Sequence, residues 1–245
     1  MRNPKVTVLM SVYNGEKYLK EAIDSILNQT FSDFEFIIIN DGSTDNTLQI
    51  LKKYKDSRII IINNSKNIGL TKSLNIGIKK TRGEYIARMD ADDISLSNRL
   101  NEEVIFLENN NKCAVVGTFI KMINEKSKII GIEEKPITNK KIKKLLVVDN
   151  CIIHGSTMIR KKCLEEVGHY DESFVRSQDY DLWLRMSEKY ELANIPKYLY
   201  VWRKNRDSIE SRFMNDQKRY VKLAKEKKIK RSNILKRLFF SLKFF

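Results

Sequence analysis

The sequence is poor in the residues that mark secreted, fibrous or low-complexity proteins. Its 245 residues include three cysteines, at positions 113, 151 and 163, an odd number without the spacing of a disulfide framework. We therefore expect no disulfide-stapled secreted scaffold and favour a reducing, cytoplasmic environment. With 3 prolines and 9 glycines, the chain is neither collagen-like nor of low complexity. Hydrophobic residues make up 42% of the chain, which is enough for a packed core and excludes wholesale disorder.

Long hydrophobic runs are also lacking. No apolar stretch approaches the roughly 20 residues that a membrane-spanning helix needs, so we predict no integral membrane segment. The first apolar run, at residues 6–10, is too short for the core of a signal peptide. The chain has 2 histidines, and Cys151 and His154 have no second pair of ligands, so we do not expect a zinc site.

Positive charge is in excess, with 46 Lys and Arg against 31 Asp and Glu. Residues 218–245 hold eleven basic residues and one acidic residue, and so supply +10 of the formal net charge of +15. Residues 234–245 mix basic and large apolar side chains at roughly helical spacing, which is typical of a segment in an anionic membrane interface. We therefore predict a basic amphipathic tail over residues 211–245. A helix packed on its own domain remains an alternative, and nucleic-acid binding is disfavoured because the chain has no recognisable motif for it.

Strand and helix patterns alternate along the first half of the chain. Apolar runs predict strands at 6–10, 34–39, 58–62 and 84–89. Amphipathic stretches predict helices at 16–29, 45–54 and 70–80. Such alternation predicts right-handed βαβ crossovers and an open α/β sheet. The β-branched run at 58–62 is typical of a strand buried on both faces of that sheet.

The second half of the chain is less regular. Its apolar runs predict strands or extended segments at 113–120, 128–132, 152–159 and 198–202. Its amphipathic stretches predict helices at 98–109, 139–148 and 179–189. Because no repeat and no Gly/Ser linker interrupts the sequence, we expect a single domain over about residues 1–210, followed by the tail.

Polar clusters follow three of the predicted strands, at residues 11–15, 40–45 and 90–93. Open α/β sheets bind ligands at the carboxyl ends of their strands, so we expect these clusters to form one site. In an extended segment Asp90 and Asp92 point the same way, and carboxylates so close together repel one another unless a cation lies among them. Oxygen ligands without His or Cys favour Mg²⁺ or Mn²⁺. A solvated turn that caps the next helix is the alternative.

Four segments resemble the family 2 glycosyltransferases of the GT-A fold, and they follow the family's order. They are the residues at 8–15, 39–45, 88–93 and 177–185. The resemblance extends from about Lys5 to about Trp202 and leaves the tail outside. It implies a Rossmann-like, open mixed sheet flanked by helices, with a nucleotide-binding half over about residues 1–95 and an acceptor half over about 96–210.

The resemblance also implies roles for individual residues. Asp41 would hydrogen-bond the base of a nucleotide-sugar, and Val12 and Tyr13 would line the base pocket. Asp90 and Asp92 would form the DxD motif, in which Asp92 binds Mn²⁺ or Mg²⁺ and Asp90 lies near the ribose or the metal. Asp179 would be the general base, and it follows Gln178 where relatives often have Glu.

The activity implied is metal-dependent, inverting transfer of a sugar from a nucleotide-sugar, most often a UDP-sugar. The acceptor would be a hydroxyl of a bacterial surface glycan or of a lipid-linked glycan. The tail would hold the protein at the inner face of the cell membrane. A nucleotidyltransferase and a non-catalytic basic binding protein remain alternatives, although residues 11–16 do not form the Gly-rich, basic loop that a nucleotidyltransferase would typically need. We expect no processive synthesis, because no channel-forming helices are predicted.

Overall fold

The computed structural model describes residues 2–205 and 214–241, with side chains described in 2–205 and 216–231. The strands are β1 Val6–Val12, β2 Phe34–Asn40, β3 Ile59–Asn63, β4 Tyr85–Asp90, β5 Ile94–Ser95, β6 Cys113–Ile123, β7 Ile129–Glu133, β8 Met158–Arg160 and β9 Glu191–Arg203. The helices are α1 Leu19–Leu27, α2 Thr47–Lys53, α3 Leu70–Ile78, α4 Arg99–Asn109, α5 Asn139–Leu145, α6 Lys161–Val167, α7 Gln178–Lys189 and α8 Met214–Ser241, with a short 3-10 helix at His154–Ser156.

Within the described residues the strands form one nine-stranded sheet, in the order β3-β2-β1-β4-β8-β6-β9-β5, with β7 paired to β6. Strands β1 to β4 are parallel, as their alternation with helices predicts. Beyond β4 the sheet becomes mixed, because β8 pairs antiparallel with both β4 and β6. The predicted open sheet flanked by helices is therefore confirmed.

The side chains of the central strands alternate between two hydrophobic layers. Val8 and Met10 of β1 belong to the layer that also contains buried residues of α1 and α4, whereas Leu9 belongs to the opposite layer. That second layer contains buried residues of α3, α5, α6, α7 and α8. Helices therefore cover both faces of the sheet, and the carboxyl ends of the parallel strands remain accessible along one edge.

Three predictions about individual elements were wrong or incomplete. Strand β3 is half-buried, because it lies at the edge of the sheet and has a neighbour on one side only. The segment 152–159 is not extended throughout, because the 3-10 helix interrupts it before β8 begins. Strand β9 begins at Glu191 rather than at 198, and its pairing with β6 holds this additional length in the sheet. Helix α6 and the two-residue strand β5 were not predicted.

The described part of the C-terminal helix packs on the domain. Ala224 is fully buried, and Tyr220 and Val221 pack against the layer that contains α7. Arg231 Nε lies 3.2 Å from Glu188 Oε1 on α7. Residues 216–231 therefore follow the alternative of a helix packed on its own domain. The segment 234–245, on which the membrane prediction depends, lies outside the described side chains. None of the described helices is long and apolar enough to cross a membrane.

Candidate active site

The three polar clusters lie side by side at the carboxyl edge of the parallel strands. In the strand register Ser11 of β1 pairs with Asp90 of β4, and Val12 pairs with Asn40 of β2. The amide of Asp41 donates a hydrogen bond to the carbonyl of Val12, with 2.8 Å between nitrogen and oxygen. The expectation that these clusters meet at one edge is therefore correct.

Asp41 is buried and accepts hydrogen bonds from the loop that follows β3. Its Oδ1 accepts from Nδ2 of Asn64 at 2.8 Å and from the amide of Ile68 at 3.0 Å, and its Oδ2 accepts from the amide of Gly69 at 2.9 Å. Gly42 lets the two segments approach closely, because a Cβ atom there would lie 2.6 Å from the backbone nitrogen of Asn67. Asp41 thus organises residues 64–69, and its contact with a base stays a prediction.

Tyr13 is 48% exposed, whereas Val12 is buried. The next residue, Asn14, has a left-handed backbone with φ 52°. Its Oδ1 accepts from the amide of Thr44 at 2.8 Å, and its own amide donates to Oγ of Ser43 at 3.0 Å. An exposed ring beside this loop is suited to stacking on a base. The roles of Val12 and Tyr13 in a base pocket stay predictions.

The acidic cluster is held by one neighbour in the chain and by a partner from a distant segment. Oδ1 of Asp90 lies 2.6 Å from a guanidinium nitrogen of the buried Arg88. Oδ2 of Asp92 accepts from Nδ2 of Asn205 at 2.7 Å. The chain turns after Asp90, so the segment is not extended as predicted, yet both carboxylates line one cavity.

Burial and mutual repulsion both act on these carboxyl groups. Burial and the negative charge of Asp90 together raise the pKa of Asp92 to about 6, against the hydrogen bond from Asn205. Burial and the charges of Asp92 and Asp90 also hold the pKa of Asp93 well above its usual range. A bound cation would relieve this repulsion. The cost of holding these carboxylates together is therefore an electrostatic reason to expect a cation here.

Asp90 and Asp92 fit Mg²⁺ or Mn²⁺, because these ions bind few protein carboxylates and take further oxygens from water and phosphate. Among the described residues no group of three or more His, Cys, Asp or Glu side chains could hold a metal ion. A cation at this position would therefore need further oxygens, from water or from a bound phosphate.

Asp179 lines the same cavity from the first turn of α7. Its Oδ2 accepts from Nδ2 of Asn150 at 2.8 Å. Burial raises its pKa, the hydrogen bond from Asn150 opposes that rise, and the charge of Asp90 adds to it. Asp181, by contrast, is paired with Arg185 at 2.8 Å. The helix thus separates the two carboxylates, and Asp179 is the one of the two that lines the cavity.

The cavity has a volume of about 730 Å³, enough for a nucleotide-linked sugar. The acidic turn and the start of α7 contribute to its lining. Further lining residues come from the turn after α5, the 3-10 helix and α8. The helix predicted as a tail therefore contributes Gln217, Lys218 and Val221 to the wall of the candidate site.

Comparison with known proteins identifies the family. The model of glycosyl transferase family 2 matches residues 7–168. The chain belongs to glycosyltransferase family 2. It is 41% identical over 220 residues to an uncharacterized glycosyltransferase of Methanocaldococcus jannaschii, a match that covers 86% of this chain and 75% of the relative. It is 40% identical over 185 residues to the O-antigen biosynthesis glycosyltransferase WbnJ of Escherichia coli, covering 74% of this chain and 71% of WbnJ.

Solved structures show the same GT-A-like fold. TarS 1–349 of S. aureus, in complex with UDP-GlcNAc, matches with a TM-score of 0.73 and 21% identity, covering 85% of this chain and 61% of TarS 1–349. The mannosyltransferase PcManGT of Pyrobaculum calidifontis, in complex with GDP-Man and Mn²⁺, matches with a TM-score of 0.63 and 19% identity, covering 82% and 57%. The glycosyltransferase thus spans about three fifths of these structures, and the predicted fold class is confirmed.

Several residues contact the candidate site of this glycosyltransferase although nothing in the sequence indicated their role. Arg203 is buried at the end of β9, where its backbone amide donates to Oδ1 of Asp93 at 2.7 Å and its Nε donates to the carbonyl of Asp92 at 2.9 Å. Asn205 and Asn150 contact the predicted site residues from equally distant segments. These contacts join positions 29 to 113 residues apart, so no local spacing could indicate them.

The backbone of the 3-10 helix passes close to the carboxylate of Asp90 in the acidic cluster. A Cβ atom on Gly155 would lie 2.6 Å from Oδ2 of Asp90 and would also collide with the hydroxyl of Tyr200, so glycine is needed there. Beside it, Nε2 of His154 lies 2.7 Å from the hydroxyl of Tyr170. Burial, with the charge of Arg88, holds the pKa of His154 well below its usual range. The glycosyltransferase therefore has a neutral imidazole at the cavity wall.

Proposed function

We propose that this glycosyltransferase transfers a sugar from a nucleotide-sugar, with a UDP-sugar as first candidate, to a glycan hydroxyl, with inversion at the anomeric carbon and with Mn²⁺ or Mg²⁺. One observation carries the proposal: Asp90, Asp92 and Asp179 line one cavity at the carboxyl edge of the parallel strands. Asp90 and Asp92 are suited to bind a cation that also binds the diphosphate, and Asp179 is suited to act as a base. The donors named with TarS and PcManGT, UDP-GlcNAc and GDP-Man, support a nucleotide-sugar as donor.

Each carboxylate has a task in this reaction. When bound, a divalent cation would stabilise the negative charge that develops on the leaving diphosphate. Asp92 and Asp90 would hold it. Asp179 would accept the proton of the acceptor hydroxyl as that oxygen bonds to the anomeric carbon. Burial raises the pKa of Asp179, which makes its carboxylate a stronger base than an exposed aspartate. Because the hydroxyl attacks directly, no covalent sugar–enzyme bond forms, and an α-linked donor yields a β-linked product.

The acceptor side of the proposal is a growing bacterial surface glycan, free or linked to a lipid carrier. Its support is the 40% sequence identity to the O-antigen biosynthesis glycosyltransferase WbnJ. We also propose a cytoplasmic protein held peripherally at the membrane by the basic tail. Replacement of the four phenylalanines at 239, 240, 244 and 245 with serine tests this placement. Unchanged membrane fractionation of that variant would contradict the role of the tail.

The experiment that tests the catalytic proposal is a calorimetric titration with UDP, with and without Mn²⁺. We expect metal-dependent binding by the wild type and loss of that dependence in Asp92→Ala. Turnover of UDP-sugars is then measured in Asp179→Asn, which we expect to keep UDP binding and to lose transfer. Asp33→Asn, an exposed site, is the matched control. If UDP does not bind, GDP and dTDP are titrated next, and failure of all three rejects the proposal.

A further inference from the structure

An exposed apolar pair lies at the rim of the cavity, in the turn that follows α5. Val147 is 59% exposed and Val148 is 68% exposed. The next two residues, Asp149 and Asn150, line the cavity. These two consecutive valines, beside the opening of the candidate site, leave more than half of their surface in water. They are therefore candidates for contact with something outside it.

Hydrogen bonds from two helices hold this turn in place. The hydroxyl of Tyr180 on α7 donates to the carbonyl of Leu146 at 2.6 Å. Nζ of Lys225 on α8 donates to the carbonyl of Val148 at 2.7 Å. The backbone is thus fixed on both sides of the valines. The fold itself holds these side chains outward.

Basic residues precede the valines on α5, and Lys225 of α8 contacts their turn. Helix α5 has lysines at 140, 141, 143 and 144 and buries Ile142 among them. Residues 216–231 of α8 carry eight Lys or Arg against two acidic residues. Burial lowers the pKa of Lys228 on α8, and the positive charges of Arg231 and Lys143 lower it further, against the charge of Glu188. Positive charge from the two helices therefore meets on one surface, where it favours an anionic partner.

We propose that this surface, formed by α5, Val147, Val148 and residues 216–231 of α8, docks on an anionic lipid bilayer. The lysines would contact acidic headgroups, and the valines would enter the region of the first acyl carbons. The opening of the cavity would then face the lipid, from which a lipid-linked acceptor reaches Asp179. Nucleic acid offers phosphates but no apolar layer for the valines, so the bilayer is the better match. Delivery of an acceptor from the bilayer rests on the proposed function, whereas binding to the bilayer is measured separately.

The first test compares two triple variants of the full chain with the same loss of charge. One is Lys140→Gln, Lys141→Gln and Lys144→Gln on α5. The other is Lys52→Gln, Lys53→Gln and Lys55→Gln in and after α2, whose buried residues belong to the opposite layer of the sheet. Both are sedimented with vesicles of phosphatidylglycerol and phosphatidylcholine in equal parts. We expect the α5 variant to lose about 100-fold in partitioning, at about 1 kcal/mol per lysine, and the α2 variant to lose little.

Equal losses in the two triple variants would mean that net charge alone drives binding, and would overturn the proposal. A second pair tests the apolar part. Val147→Ser with Val148→Ser should weaken partitioning about tenfold, because less apolar area enters the bilayer. Ile105→Ser, at a 47% exposed position on α4, should leave it unchanged. Equal binding of wild type and the valine variant would overturn insertion.

UDP titration of the same variants separates this inference from the proposed function. We expect all four variants to keep wild-type UDP affinity, because none of the changed residues lines the cavity. Vesicle binding without binding of UDP, GDP or dTDP would leave the docking surface standing and reject the catalytic proposal. UDP binding with no preference for phosphatidylglycerol over pure phosphatidylcholine vesicles would reject the docking surface and leave the catalytic proposal standing. If the wild type binds a single-stranded oligonucleotide more tightly than the vesicles, and the α5 triple variant loses that binding, the surface belongs to nucleic acid and the proposal is overturned.

Discussion

The side-chain amide of Asn150 donates a hydrogen bond to Oδ2 of Asp179, with 2.8 Å between nitrogen and oxygen. The two residues come from the turn after α5 and the first turn of α7. The bond holds one oxygen of this carboxylate, Oδ2, toward the turn after α5. It also lowers the pKa of Asp179 against the larger effect of burial, which raises it. Asn150 therefore sets both the orientation and the basicity of the proposed base.

Replacing Asn150 with leucine should move the pH dependence of transfer. Loss of a hydrogen bond to a charged group is worth about 1.5–3 kcal/mol, and about 1.4 kcal/mol corresponds to one pKa unit. Because the lost bond favoured the ionised form, the pKa of Asp179 rises, and the acidic limb of kcat/KM moves one to two pH units upward. The pH profile of kcat/KM measures this. Asn109→Leu on α4 is the control, and a lower plateau without a shifted limb would contradict the effect on basicity.

Replacing Asp41 with asparagine should lower the free energy of unfolding, and we expect this effect to be larger than any effect on nucleotide binding. Three N–H donors point at the Asp41 carboxylate, and an amide offers one acceptor oxygen and adds donors of its own. At least one partly buried donor is then left unpaired, at a cost of about 2 kcal/mol in the free energy of unfolding. Urea denaturation measures this, with the exposed Asp33→Asn as control. Unchanged stability combined with lost UDP binding would instead favour direct contact with the base.

Gly155→Ala should weaken metal-dependent nucleotide binding while the fold persists. The new methyl group would lie 2.6 Å from Oδ2 of Asp90, so Asp90 must move. We expect UDP affinity in Mn²⁺ to fall at least tenfold, or about 1.4 kcal/mol, with little change in UDP affinity without metal. Calorimetry measures both. Gly131→Ala is the control, because its Cβ would meet only the end of the flexible Met122 side chain. Equal losses with and without Mn²⁺ would contradict an effect through Asp90.

Arg203→Met should destabilise the acidic turn. Arg203 is 1% exposed, and its side chain donates to the carbonyl of Asp92 and to Oγ of Ser127 at 2.9 Å each. Its loss leaves these acceptors, and the carboxylate of Glu21, without their cation, at a cost of about 3 kcal/mol in the free energy of unfolding. Urea denaturation measures the cost, and the exposed neighbour Lys204→Met should change stability by less than about 0.5 kcal/mol. A similar loss in both variants would show that Arg203 has no special role.

The first four strands were predictable because continuous apolar runs are interrupted by turn residues at each strand end. The same property located the clusters around Asp41 and Asp90, since parallel strands present their carboxyl ends at one edge. The first half of β9 was missed because Pro196 and polar side chains interrupt its pattern. Its place in the sheet comes from pairing with β6, a contact between strands about 80 residues apart.

The residues of the site divide in the same way. Local pattern and resemblance identified Asp90, Asp92 and Asp179, because each lies in a short motif whose neighbours are part of the pattern. They did not identify Arg203, Asn205 or Asn150, whose importance depends on which distant side chain they contact. A buried carboxylate needs a donor, but any segment of the chain can supply it.

The order of strands and helices, the acidic cluster and the family follow from the sequence, since each depends on residues close together in the chain. The partners of those carboxylates, the close approach at Gly155 and the packing of residues 216–231 depend on the folded chain. The physical reason is that pKa values, burial and charge pairing are set by whatever lies within a few ångströms in space. Charge composition indicated a basic helix at the C-terminus, and packing against α7 made part of that helix a wall of the candidate active site.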